Sequence, residues 1–192
     1  MQAFLIATGL VALAEIGDKT QLLAFMLAAR FHRPWPIVAG IFVATVFNHA
    51  AAGALGSWLT SLISPTAMRW GLGLSFIAMA GWMLIPDKLD EDNAPKPGHG
   101  VFVTTVIAFF LAEMGDKTQI ATMALAARYP LDFIGVIAGT TAGMMLANVP
   151  AVLVGDKLAH KLPVKLVHRV AAVIFAVLGV ATLVGAGESL GF

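Results

Sequence analysis

A seven-residue charged motif constrains this chain most, because it occurs twice and each time inside a long apolar run. Residues 15–21 read EIGDKTQ and residues 113–119 read EMGDKTQ. A run of roughly 20 apolar residues crosses the hydrocarbon core of a membrane as a helix. A charged residue at that depth costs about 2.5–3.5 kcal/mol on insertion scales. A chain that carries this cost twice at the same spacing is predicted to use these charges.

Six apolar segments predict an all-α membrane protein, because barrel strands would be short and alternating in polarity. Of the 192 residues, 59% are hydrophobic and only 12% are charged, which excludes a soluble domain with a solvated surface. A polar stretch rich in Pro and Gly, residues 86–100, is predicted to be an exposed cytoplasmic linker. The six predicted transmembrane helices cover approximately residues 4–29, 35–59, 67–85, 101–127, 131–154 and 165–184.

The linker separates two halves, residues 1–85 and 101–192, that are predicted to be duplicated three-helix units. Residues 15–30 align with residues 113–128 without a gap, and ten of the sixteen positions are identical. Because three crossings leave the chain on the opposite side, the second unit enters from the other face and the repeats are inverted. Transporters of this design bind substrate near the midplane at the repeat interface. The two charged motifs are predicted to meet there.

The basic residues near helix ends predict the orientation. Only Arg69 and Arg128 fall on the same side as the N-terminus, against eight on the other side. Since basic loops stay in the cytoplasm, both termini are predicted to be extracytoplasmic. The eight are Arg30, Arg33, Lys88, Lys96, Lys157, Lys161, Lys165 and Arg169.

Helical geometry predicts that the charged side chains of each motif share one face. A helix turns by about 100° per residue, so a continuous helix places Asp18 about 60° to one side of Glu15 and Lys19 about 40° to the other. The same spacing in the second motif applies to Glu113, Asp116 and Lys117. Four carboxylates are therefore expected to converge, with two ammonium groups close by.

A glycine interrupts each motif at the charged turn. Gly17 and Gly115 allow a neighbouring helix to approach closely. They also allow a local break that frees backbone carbonyls as ligands, which is a common device in transporters. Both interpretations are compatible with the sequence.

Four carboxylates in a low dielectric cannot all stay ionised without a counter-charge, so the site is expected to hold either a metal ion or protons. Metal binding then expels protons and protonation expels the metal, which is the physical basis of exchange. The chain has no cysteine, which excludes thiolate ligands, and oxygen ligands favour calcium, manganese or magnesium. Further neutral ligands are expected among Asn48, Asn148, Thr20, Thr118, Gln21 and Gln119, although a continuous helix places the threonines and glutamines off the carboxylate face.

Three other interpretations compete with a metal site. The Glu15–Lys19 pair and its counterpart in the second motif can be i,i+4 salt bridges that only neutralise each other. The acidic residues can also form the selectivity ring of a cation channel without proton coupling. A membrane-embedded enzyme is the third, but we find no nucleophile motif, nucleotide-binding loop or metalloprotease pair, so no enzymatic activity is predicted. His49, beside Asn48, is either a ligand or proton carrier in the cavity or a packed histidine, and packing is favoured.

Two E-x-G-D-K-T motifs in a six-helix inverted repeat resemble the family of small membrane calcium/manganese cation exchangers. The resemblance implies export of Mn²⁺, and of Ca²⁺ as a second substrate, across the cell inner membrane in exchange for protons. It implies membrane lipid and a divalent ion as partners, with no prosthetic group and no nucleic acid. It places the motif carboxylates at the cation site, namely Glu15, Asp18, Glu113 and Asp116. Lys19 and Lys117 then tune the charge of these carboxylates or replace the metal when it leaves.

Overall fold

The structure is a computed structural model that describes residues 1–85, 100–154 and 164–185. Within these ranges the protein is all-helical and contains no strand, which confirms the predicted class. The predicted linker lies outside the described residues, except for Gly100 at its end. The helices are α1 (Gln2–Glu15), α2 (Lys19–Phe31), α3 (Pro34–Leu62), α4 (Pro65–Trp82), α5 (Gly100–Glu113), α6 (Lys117–Arg128), α7 (Phe133–Val154) and α8 (Val164–Leu183), with a 3₁₀ turn at Pro130–Asp132 before α7.

The two segments that carry the charged motif are broken helices. The chain leaves helical geometry between α1 and α2, and again between α5 and α6. Gly17 has a φ of 83° and Gly115 a φ of 75°, in the left-handed region that glycine enters without a steric penalty. The glycines therefore break the helix at the charged turn, and Gly17 also allows the close approach of Val164 in α8, so the first break uses both roles that the sequence allowed.

The six predicted membrane crossings stay a prediction, because the two segments that carry the motif are interrupted helices. Among the described residues, three helical stretches are long and apolar enough to cross a membrane: α3, α7 with its 3₁₀ turn, and α8. Helices α1 and α5 are apolar but shorter, because each ends at the first carboxylate of its motif. The apolar pattern of the sequence predicted one long helix in each case, because this pattern does not show where the backbone leaves helical geometry.

Helices of the first half pack against helices of the second half. Helix α1 lies along α7 and α5 lies along α3, while α4 lies along α8. Small residues bring these helices close together: a Cβ on Gly143 would lie 2.6 Å from the Thr8 carbonyl oxygen, and one on Gly40 would lie 2.7 Å from Thr105 Cβ. This packing holds the ends of α1 and α5, and hence the two breaks, between the halves of the chain.

The N-terminus lies beside the turn that follows α6. Its ammonium nitrogen is 3.6 Å from Asp132 Oδ2, so both are at the same end of the helix bundle. Half of the basic residues that predict the cytoplasmic side, Lys88, Lys96, Lys157 and Lys161, lie outside the described residues. The orientation in the membrane therefore stays a prediction.

Candidate cation site

Three buried carboxylates from both halves of the chain lie together at the helix breaks. One oxygen each of Glu15, Glu113 and Asp116 lies within 4.8 Å of the others, and we call this group the carboxylate cluster. A divalent ion that bonds oxygen at about 2.0–2.6 Å can bridge oxygens at this separation. The cluster can therefore hold a divalent cation between the first half and the second.

Each member of the carboxylate cluster keeps an oxygen available. Glu15 Oε1, Glu113 Oε1 and Asp116 Oδ2 have no hydrogen-bond partner within the part of the chain that the structure describes. The other oxygen of each glutamate accepts a hydrogen bond from a threonine, Thr20 in the first motif and, at 2.8 Å, Thr118 in the second. A buried carboxylate oxygen without a donor is costly unless a cation or a proton satisfies it.

The two lysines pair across the halves and not within their own motifs. Lys19 Nζ lies 3.4 Å from Asp116 Oδ1, and Lys117 Nζ lies 3.3 Å from Asp18 Oδ1. The competing interpretation of i,i+4 pairs within each motif is wrong, because the helix breaks between the glutamate and the lysine of each motif. The expected convergence of four carboxylates is likewise reduced to the cluster of three, and Asp18 is held instead by the lysine of the other motif.

The two glutamines of the motifs hydrogen-bond to the backbone amides of the glycines at the helix breaks. Gln21 Oε1 accepts a hydrogen bond from the Gly17 backbone amide at 2.9 Å, and Gln119 Oε1 accepts one from Gly115 at 2.7 Å. Like the glutamine of a capping box, each reaches back to an amide near the start of its helix. The expectation that the threonines lie off the carboxylate face is wrong, because it extended one helix through the break, whereas the glutamines contact backbone groups and Asn48 and no carboxylate among these bonds.

The two buried asparagines have different partners. Asn48 Nδ2 donates to the Phe110 carbonyl of α5 at 3.1 Å, and its Oδ1 accepts from Gln119 Nε2 at 3.5 Å. Asn148 Nδ2 donates within its own helix to the Met144 carbonyl at 3.1 Å. Asn148 Oδ1 has no hydrogen-bond partner among the described residues. Asn148 therefore keeps a side-chain oxygen without a donor in the described part of the chain, whereas both polar atoms of the Asn48 amide are hydrogen-bonded.

His49 is buried beside the carboxylate cluster, where the sequence favoured a merely packed histidine. Its Nε2 lies 3.9 Å from Glu113 Oε2, and the side chain is 0% exposed. The signal that could have found it is the polar face of α3, since Thr45, Asn48 and His49 recur at helical spacing in an otherwise apolar segment. The structure thus adds an imidazole to the surroundings of the cluster.

Comparison with known proteins agrees with these observations. The family described as "Divalent cation/proton antiporter GDT1" matches residues 3–91 and 101–190. A protein of Vibrio cholerae serotype O1 named "Putative manganese exporter" is 51% identical over 182 residues, which cover 95% of this chain and 90% of that protein. "GDT1-like protein sll0615" of Synechocystis is 29% identical over 195 residues, which cover 91% of this chain and 93% of that protein.

More distant relatives occur in plants. "GDT1-like protein 4" of Oryza sativa subsp. indica is 27% identical over 199 residues, which cover 90% of this chain and 70% of that protein. No solved structure matches the chain. The family consists of transporters and not of enzymes, in agreement with the predicted lack of enzymatic activity, and the apolar helices indicate a multi-pass membrane protein. The chain therefore belongs to the GDT1 family of divalent cation/proton antiporters.

Proposed function

We propose that this protein exports Mn²⁺ across the cell inner membrane in exchange for protons. The observation that carries the proposal is the carboxylate cluster, which is buried, is shared between the halves and has one available oxygen on each member. The family supports the coupling of a divalent cation to protons, and the 51% identical relative is named "Putative manganese exporter". The carboxylate oxygens of the cluster also accept Ca²⁺, so Ca²⁺ is expected to compete.

The proposed architecture is an inverted pair of three-helix repeats, residues 1–85 and 101–192, that crosses the membrane six times. The linker is cytoplasmic and both termini are extracytoplasmic. Two observations support this arrangement. Each motif breaks its helix at the equivalent glycine, Gly17 or Gly115. The packing of α1 on α7 also has its counterpart in the packing of α5 on α3. Such repeats move against each other around a fixed site to expose it alternately to the two sides.

In this mechanism the carboxylate cluster binds either the metal or protons. A divalent ion neutralises buried carboxylates that otherwise take up protons, so metal binding releases protons and protonation releases the metal. Lys19, paired with Asp116, supplies a positive charge at the edge of the cluster when the metal leaves. Thr20 and Thr118 orient the two glutamates, and Asn148 supplies a further oxygen.

The test is transport by purified protein in liposomes that contain a pH-sensitive dye. A Mn²⁺ gradient should drive protons in the opposite direction through the wild type. Glu15→Gln and Glu113→Gln should each abolish both fluxes, because each removes one charge from the cluster. Asp132→Asn is the matched control, since it removes a carboxylate that is 43% exposed and lies beside the N-terminus of the chain. The Mn²⁺ and proton fluxes of this variant should match those of the wild type.

Other outcomes would contradict the proposal in different ways. Mn²⁺ movement without linked proton movement would indicate an acidic-filter cation channel. Normal antiport by both glutamine variants would show that the cluster is not the cation site. Absence of any metal flux through correctly folded wild-type protein would leave the charged motif with a structural role.

A further inference from the structure

We propose that His49 is a nitrogen ligand of the transported ion and that it selects first-row divalent transition ions, Mn²⁺ among them, over Ca²⁺ and Mg²⁺. The inference rests on the proposed cation site. It goes further by naming the residue that sets which class of ion the site accepts.

The imidazole of His49 is buried without the partners that a structural histidine needs. Its side chain is 0% exposed, and neither ring nitrogen has a hydrogen-bond partner among the described residues. Buried polar atoms in native proteins are nearly always satisfied, so an orphaned imidazole requires an explanation. A ligand that binds to the ring supplies one.

The position of His49 identifies that ligand as a cation shared with Glu113. Nε2 lies 3.9 Å from Glu113 Oε2, which is too long for a hydrogen bond. Two atoms at this separation can nevertheless bind the same ion at about 2.0–2.6 Å each. His49 does not belong to the group of three oxygens within 4.8 Å of one another. We therefore place His49 next to Glu113 in the ligand set, where both side chains contact the same ion.

The imidazole of His49 has no counterpart in the second half of the duplication. Asn48 aligns with Asn148 in the duplicated halves, so the position that corresponds to His49 is Val149. Ca²⁺ and Mg²⁺ bind oxygen ligands almost exclusively, whereas first-row transition ions also bind imidazole. One nitrogen added to a set of carboxylates thus favours Mn²⁺ over Ca²⁺. Because affinity rises from Mn²⁺ to Fe²⁺ and Co²⁺ at such sites, these ions should bind as well.

The first measurement is the affinity of the full-length protein, purified in detergent, for Mn²⁺ and Ca²⁺ separately. His49→Gln and His49→Val, the latter with the residue of the matching position, should weaken Mn²⁺ binding by about tenfold or more, as loss of an interaction at a metal site does. Ca²⁺ binding should change little, so the ratio of the two affinities falls. A histidine that only packs would lower both affinities alike or neither, and that result would overturn the inference.

The second measurement is pulsed electron paramagnetic resonance of bound Mn²⁺, which detects a coordinated imidazole without any substitution. Wild-type protein labelled with ¹⁵N-histidine should show a nitrogen coupling that disappears in His49→Gln. His168→Gln is the matched control, because this second buried histidine donates to the Ile16 carbonyl at 2.7 Å and should leave the coupling intact. Bound Mn²⁺ without a histidine coupling would overturn the role of His49 and leave the cation site standing. Failure of the wild type to bind Mn²⁺ would overturn the cation site itself.

Discussion

The two copies of the charged motif share a local fold but differ in what covers them. At the first break, a Cβ on Gly17 would collide with the side chain of Val164 in α8, and His168 of the same helix donates to the Ile16 carbonyl at 2.7 Å. At the second break, a Cβ on Gly115 would meet no described atom within 4 Å, and Met114 is 57% exposed. The motif therefore determines the break, whereas the surrounding helices determine whether it is closed.

The lysines differ in the same way. The side chain of Lys117 is 2% exposed in its pair with Asp18, whereas that of Lys19 is 27% exposed in its pair with Asp116. Asp116 also belongs to the carboxylate cluster, and Asp18 does not. The Asp18–Lys117 pair thus joins the two halves in the interior, while the Lys19–Asp116 pair borders the site. In the proposed inverted repeat, alternating access requires that the first break becomes uncovered when the second becomes covered.

The largest expected effect is on Mn²⁺ transport, and it distinguishes Asp116 from Asp18. Asp116→Asn should lower Mn²⁺ transport by about 100-fold or more, since the loss of a group that contacts the metal exceeds the roughly 10–100-fold cost of an outer partner. Asp18→Asn should retain measurable transport, because Asp18 lies outside the carboxylate cluster. Initial rates in liposomes, normalised to folded protein, measure the difference. Equal losses in the two variants would show that the aspartates are equivalent and that the comparison does not hold.

The next effect concerns stability and compares the two ion pairs. Removing one partner of a fully buried ion pair typically costs about 3–5 kcal/mol, and solvent that reaches the partly exposed Lys19 reduces the cost for the Lys19–Asp116 pair. Lys117→Met should therefore lower the thermal midpoint of the purified protein more than Lys19→Met. The double variant Asp18→Asn/Lys117→Met should recover part of the loss, since it leaves no unbalanced charge. A double variant no more stable than Lys117→Met would indicate that the pair does not act as a unit.

The smallest expected effect is on stability, and it compares the two helix breaks at Gly17 and Gly115. Gly17→Ala and Gly115→Ala should each cost about 1–2 kcal/mol, because both positions have a left-handed backbone. Gly17→Ala should cost more, since its methyl group also meets Val164. Thermal unfolding measures both, and the addition of Val164→Ala should bring Gly17→Ala close to Gly115→Ala. An equal cost for the two single variants would show that the first break is not more tightly covered than the second.

The sequence predicted the fold class and allowed a break at the motif glycine, but it did not predict the geometry of the charges. Apolar runs and the duplicated motif are visible in the composition and spacing, and a glycine at the charged turn signals a possible break. The crossed pairs were missed because a helical wheel assumes one continuous helix through Glu15 and Lys19. Once Gly17 takes a positive φ, the two residues belong to different helices, and their relative direction depends on packing against the other half.

The remaining misses have the same origin. Thr20 contacts Glu15 and Gln21 contacts the Gly17 amide only because the helix is interrupted between α1 and α2. The proximity of His49 to Glu113 joins residues of α3 and α5, and nothing in the local sequence of either helix specifies that contact. Spacing within one element was thus informative, whereas contacts between elements required the tertiary structure.

The central claim is that both copies of the motif build one cation site, and the stoichiometry of Mn²⁺ binding tests it most directly. Calorimetric titration of the purified full-length protein should give one Mn²⁺ per chain. Glu15→Gln and Glu113→Gln, with one substitution in each copy, should each abolish that binding. Two ions per chain in the wild type, with one retained in each variant, would show that each motif binds its own ion and would contradict a shared site.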